Sequence, residues 1–179
     1  MTIAPIVQER PADDEYFEYY GNYVKEVGAD FAGQLVQQIA QLEELVQRIP
    51  ESESIVLHAP YTWTLRQVAG HLIDAERIFA DRMHRIAAGE VHPLPGMDQD
   101  SYVNQYDYEA PRFASLIEEL VLLRRANIRL IERIPTAAWL KRGVASGHSI
   151  TPRALAWILV GHIEHHLRII VERRVARSG

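Results

Sequence analysis

"LAWILVGHIEHHLRII", Leu155 to Ile170, reads as a buried helical stripe with histidines where leucine is expected. Leu155, Ile158, Leu159, His162, His166, Ile169 and Ile170 recur at threes and fours, so they share one face of an α-helix. His162 and His166 are four apart, which lets their imidazoles converge on one point inside the core. Just upstream, "SITPRAL" (149–155) supplies a helix start: Thr151 can cap, Pro152 suits the first helical position, and Ile150 can staple onto Leu155. The pattern predicts a helix continuing to about Val175.

The same period recurs three more times. In "WTLRQV" (63–68), Thr64 and Gln67 form a capping box, with Trp63 and Val68 able to close over it. From there an apolar stripe runs through Val68, Leu72, Ala75, Phe79 and Met83 and stops near Gly89. Phe113, Leu116, Leu120, Leu123, Leu130 and Ile134 predict a helix from about Pro111 to Ile134, with Pro135 following. Val24, Val27, Phe31, Leu35, Ile39, Leu42, Leu45 and Ile49 predict a long first helix that begins between Asp14 and Asn22 and ends at Pro50. Residues 1–14, polar with two prolines, read as an extended N-terminal arm, and 15–179 as a single domain. No convincing two-residue alternation is found, so the class is all-α, a four-helix bundle.

Two antiparallel neighbours need only about 2 to 8 connecting residues, so "GEVHPLPGMDQDSYVNQYDYEA" (89–110) is either a crossover or functional. Its residues His92, Asp98, Asp100, Tyr102 and Tyr106 are candidates to cover a site, although loops commonly have this composition.

In the second helix His71 lies among Val68, Leu72, Ala75 and Ile78, again facing inward. A lone inward histidine is ordinarily a core residue hydrogen-bonded to a neighbour. Three together, with few obvious partners, are better satisfied by one shared divalent cation than by about 1 to 3 kcal/mol of unsatisfied burial each. Depth agrees: His71 sits roughly 10 Å into its helix, while His162 and His166 sit roughly 20 and 14 Å from the end of theirs, so the levels match if these helices are antiparallel. An up-down-down-up order then fits the connections.

Three neutral nitrogen ligands leave a coordination position open, as in catalytic rather than structural sites. They suit zinc, nickel, iron or copper, of which zinc and nickel are preferred. "GHLIDAERI" (70–78) and "GHIEHHLRI" (161–169) echo one another, either through an ancient duplication or by chance. "HIEHH" holds neither H-E-x-x-H nor its inverse, and Glu164 lies roughly 200° around from His162, so it is not assigned as a base. His165 flanks the stripe as a supporting or surface residue. Asp74, Glu76 and Asp81 read as a solvated face. Asn127 is either a pocket residue or a satisfied core amide, and His58, His84, His92 and His148 have no helical partner placing them inward.

Composition narrows the classes. With no cysteine among 179 residues, disulfides, thiolate ligands and a cysteine nucleophile are excluded. A net charge of -5, a pI near 5.9 and scattered positive charges give no basic surface for nucleic acid. The N-terminal residues lack the order of a signal peptide, and no apolar run approaches the ~20 residues of a bilayer span, so a cytoplasmic protein without membrane contact is expected. Aliphatic amphipathic bundles often pair, and a homodimer is expected.

"YTWTLRQVAGHLIDAER" (61–77), "PGMDQDSYV" (95–103) and "GHSITPRALAWILVGHIEHHLRII" (147–170), in this order and spacing, resemble the DinB/YfiT-like family of metalloproteins. The likeness covers nearly the whole chain after the arm. It implies an up-down-down-up four-helix bundle holding a divalent metal through His71, His162 and His166. It also implies a metal-dependent enzyme acting on a small molecule, a thiol-dependent S-transferase or related hydrolase, because relatives include transferases and isomerases that use low-molecular-weight thiols. The alternatives are a metal-binding module without catalysis, such as a sensor or scavenger, and a structural helical dimer.

Overall fold

The computed structural model describes residues 2–175; Met1 of the expected arm and 176–179 of the expected domain lie outside the described residues. In chain order the helices are α1 (Pro5–Gln8), α2 (Gly21–Val24), α3 (Phe31–Arg48), α4 (Glu51–Ser54), α5 (Leu65–Ala88), α6 (Gln99–Gln105), α7 (Phe113–Arg133) and α8 (Pro152–Val175). A hairpin, β1 (Gly143–Ala145) and β2 (His148–Ile150), precedes α8. The four long helices α3, α5, α7 and α8 form the bundle.

Local chemistry set the helix starts as the sequence suggests. Thr64 accepts from the Gln67 amide while Gln67 accepts from the Thr64 amide, opening α5 with a capping box, and Gly89 closes it at φ 99°. Thr151 accepts from the Ala154 amide ahead of α8. The start of α7 is different: Arg112 offers no side-chain cap, and the Glu51 carboxylate of α4 accepts from the Phe113 and Ala114 amides instead.

Two expectations about the first part of the chain are corrected. The long first helix is broken: after α2 the chain leaves helical geometry until Asp30, whose carboxylate accepts from the Gly33 amide and recaps α3. Arg10 donates to the Val24 and Val27 carbonyls at 3.0 and 2.8 Å, satisfying backbone that a continuous helix would have paired internally. Val24 and Val27 remain buried from this irregular segment, which is why their spacing imitated a helix. The N-terminal residues are not extended throughout: α1 is a helical turn, Val7 is fully buried, and its carbonyl accepts from Trp157 Nε1 at 2.8 Å. Short strands are present too. β1 and β2 pair antiparallel around Ser146 and Gly147, both at positive φ, and Leu94 of the long connection joins Ala145 through a parallel bridge.

Helices α5 and α8 are antiparallel. Trp63, His71 and Glu76 meet, in that order, Arg173, His162 and, through Arg124, the Leu159 carbonyl. α7 accompanies α5 in the same sense, Arg66 reaching Glu109 four residues ahead of its start and Glu76 meeting Arg124 and Asn127 further on. Helix α8 is the one element among the described residues long and apolar enough to cross a bilayer, but 67% of the relevant window is buried inside the protein, as befits the central helix of a bundle.

Glu76 and Asp74, read as solvated, are buried instead. Glu76 pairs with a fully buried Arg124 at 3.1 Å, Arg124 also donates to the Leu159 carbonyl, and Asn127 donates to Glu76. Asn127 is therefore a satisfied core amide. Removing one partner leaves the other charge stranded. Glu76→Ala is expected to lower the unfolding free energy by about 3–5 kcal/mol, read from urea denaturation, and the double replacement Glu76→Leu with Arg124→Met to recover most of that loss.

Candidate metal centre

His71 stands in the second turn of α5, and His162 and His166 on consecutive turns of α8. Antiparallel packing brings one ring nitrogen from each to within 4.8 Å of the other two. His71 Nε2 and His162 Nε2 are 3.0 Å apart, and the three ring centroids are separated by 4.7 to 5.1 Å. His71 and His162 are buried and His166 partly so.

Each α5 and α8 histidine that leads this cluster follows a glycine. A Cβ on Gly161 would lie 1.9 Å from the Tyr23 carbonyl oxygen, and one on Gly70 2.2 Å from the Tyr108 ring. The missing side chains therefore let α2 and the end of the long connection press directly on the site helices, so the echo between 70–78 and 161–169 has a packing cause at each copy.

Burial pushes the imidazoles towards neutrality. Desolvation takes His71 down to about 4 and holds His162 and His166 well below the usual histidine range, reinforced at His162 by His166 and His71 and at His166 by His71. Among the described residues, the contact between His71 and His162 is the one hydrogen bond these rings make, and the Nδ1 atoms of His71 and His166 are buried without a partner. The protein alone does not satisfy the cluster. Three neutral, converging nitrogens with no carboxylate among them fit a borderline divalent cation, whose bonds of ~2.0–2.1 Å place tetrahedral ligand atoms about 3.3 Å apart.

Aromatic rings exclude water on most sides. Trp63 lies 5.1 Å from His71, while Tyr23 and Phe79 meet His162 edge-on at 5.0 and 5.7 Å. One side opens into a cavity of about 250 Å³ that His71 and His162 share with Tyr23, Arg82, Met97 and Ser146, among others. The long connection thus contributes to the site, through Met97 and Gln99. Of the residues expected to cover it, Asp98 caps α6 and His92 is exposed beside Glu90. Tyr102 and Tyr106 line a different groove with Asp74 and Tyr108.

His165 stays outside the cluster, 5.2 Å from the His166 ring and 3.3 Å from Arg168. Glu164 accepts from Gln34 and Gln38 of α3, away from the imidazoles. His148 stacks on Phe17. The sequence reading missed Tyr19, Tyr20, Tyr23 and Arg82 as cavity residues. Arg82 carried a usable signal: eleven residues past His71 is about 1,100° of helix, which returns it to nearly the same face.

Residues 34–170 match the family model of the DinB superfamily. The chain belongs to the DinB superfamily. Among solved structures, YfiT from Bacillus subtilis, described as a probable metal-dependent hydrolase with an unusual four-helix bundle topology, aligns over 94% of each chain with a TM-score of 0.70 and 18% identity. At that identity the likeness speaks for a shared DinB-type fold. No curated protein matches the chain.

Because the Tyr23 carbonyl leaves no space for a Cβ, Gly161→Ala is expected to force α2 away from α8, with about 1–3 kcal/mol of destabilisation. A thermal melt monitored by near-ultraviolet circular dichroism, sensitive to the Tyr23 contact with His162, checks it.

Proposed function

We propose that this DinB-superfamily protein is a metal-dependent enzyme, a thiol-dependent S-transferase or related hydrolase, in which His71, His162 and His166 hold one divalent cation, zinc or nickel by preference. The single observation carrying the reading is the convergence of three neutral imidazoles within 4.8 Å beside a cavity. The description of YfiT as a probable metal-dependent hydrolase, on a fold that aligns with this one over 94% of each chain, supports it.

When bound, such a cation supplies Lewis acidity, lowering the pKa of a thiol or water in the position that three nitrogen ligands leave open. The chain has no cysteine, so the thiol comes from a small cosubstrate. The protein's own groups do the rest. Desolvation keeps the ligand rings unprotonated at neutral pH, and Trp63 and Phe79 shut water out from the flanks. Burial and the Tyr19 hydroxyl push the Tyr23 phenol up, so at neutral pH it remains protonated, a donor at the cavity wall rather than a base. Among the described residues no carboxylate lines the cavity, so none of them competes with a substrate for the imidazole end.

Elemental analysis of protein purified without a nickel affinity resin is expected to find about one divalent ion per chain, and none in His71→Ala with His162→Ala and His166→Ala. Full metal content in that triple variant defeats the proposal. Chelation is expected to lower the melting temperature, since a ligand present at 1,000 times its dissociation constant adds about 4 kcal/mol. Turnover with thiols and electrophilic acceptors separates an enzyme from a metal-binding module, which shows none with any acceptor.

A further inference from the structure

Among the described residues Arg82 is the one formal charge on the cavity wall, and only 4% of its surface is exposed. Its Nη2 donates to the Pro95 carbonyl at 2.7 Å and to Ser146 Oγ at 3.1 Å, both uncharged acceptors. Among the described residues no carboxylate lies within ion-pair distance of it; nearby Asp81 faces Arg85 instead. The two other buried arginines of the core are neutralised, Arg124 by Glu76 and Arg153 by Glu15. A desolvated guanidinium without an anion is costly, and carboxylates normally answer it in a bidentate fork. One terminal nitrogen suffices for the clamp on Pro95 and Ser146, which leaves donors of the fork for the cavity.

We propose that Arg82 is the anion-binding residue of this cavity and that the substrate is a compact carboxylate. Its charged end rests on Arg82 and its reacting end reaches the imidazole cluster. The inference rests on the proposed function for the identity of the reacting end, but not for the anion site. Arg82 is about 16 Å along α5 from His71 and on nearly the same face, and because the arginine side chain is the longer of the two and leans back towards the N-terminus, the gap between the two ends is shorter than that rise. Tyr19, Tyr20 and Phe79 give the stretch between them aromatic walls. A single guanidinium matches the single charge of a carboxylate; a phosphate monoester, at roughly -1.5 to -2, calls for more positive charge than the Arg82 end of this cavity supplies.

The probes are hexanoate, hexan-1-ol and hexyl phosphate, none bearing a thiol, titrated calorimetrically into the full chain before and after chelation. The expected result is hexanoate binding at least tenfold tighter than the alcohol and tighter than the phosphate, with the preference falling below twofold in Arg82→Gln. Arg82→Lys, which keeps the charge and loses the fork, should fall between them. The Arg82 side-chain Nε resonance in ¹⁵N spectra should move with hexanoate and not with the alcohol, a readout on the wild type that survives if Arg82→Gln fails to fold. Equal affinity for acid and alcohol in the wild type, a preference retained in Arg82→Gln, or tighter binding of the phosphate overturns the inference. His71→Ala separates the two readings: a metal-free variant that still prefers hexanoate leaves the anion site standing whatever becomes of the metal, and a metal-loaded wild type without the preference does the reverse.

Discussion

The seam between α5 and α8 is the constraint on which the molecule depends, because it buries polar groups at fixed depths. An apolar seam between two long amphipathic helices tolerates a slip of one turn, about 5.4 Å, by exchanging one aliphatic contact for another. Here such a slip separates His71 from His162, and it pulls the Leu159 carbonyl away from Arg124 while Arg124 stays tied to Glu76. Gln38 of α3 donates to the Val160 carbonyl and fixes the level of α8 against α3 as well. Each contact is modest alone, but an unpaired polar group in this interior is expensive, so together they admit one register.

That register explains the placement of the two glycines. The imidazoles need partners on α5 and α8 only, whereas water must be kept from the sides. Tyr23 does so by lying against the α8 backbone at Gly161 with its ring edge-on to His162, and the Tyr108 ring packs on α5 at Gly70, where any side chain would hold it off. Tyr108 is anchored further by donating to Asp74 at 2.7 Å, which accounts for a carboxylate the sequence placed in solvent.

What was legible in the sequence was local or periodic. The capping box at Thr64, the cap at Thr151 and the stripe carrying His162 and His166 depend on neighbours within one or two turns, and the histidine levels followed from helix rise alone. What escaped depended on distant chain. A binary pattern sends every charged residue to water, so Arg124 and Glu76, 48 residues apart and neutralising one another, had no signature. The break before α3 was hidden because Val24 and Val27 are buried from a loop held by Arg10. Strands of three residues are too short for alternation to show, and β1 and β2 are defined instead by their turn at Ser146 and Gly147.

The site itself divides between these two kinds of information. The imidazoles stand on rigid helices, inside the 34–170 stretch that matches the DinB superfamily. The cavity in front of them is walled largely from the connections: Tyr19, Tyr20 and Tyr23 ahead of that stretch, Met97 and Gln99 from the segment before and into α6, and Ser146 from the hairpin turn. Connections change more readily than packed helices without disturbing the core. The arrangement therefore separates the imidazole cluster, fixed by the α5–α8 register, from the walls that decide what reaches it. Arg82 is where the two meet: it stands on a site helix, yet its hydrogen bonds go to Pro95 and Ser146, so a change in either connection moves the one formal charge that the described residues place on the cavity wall.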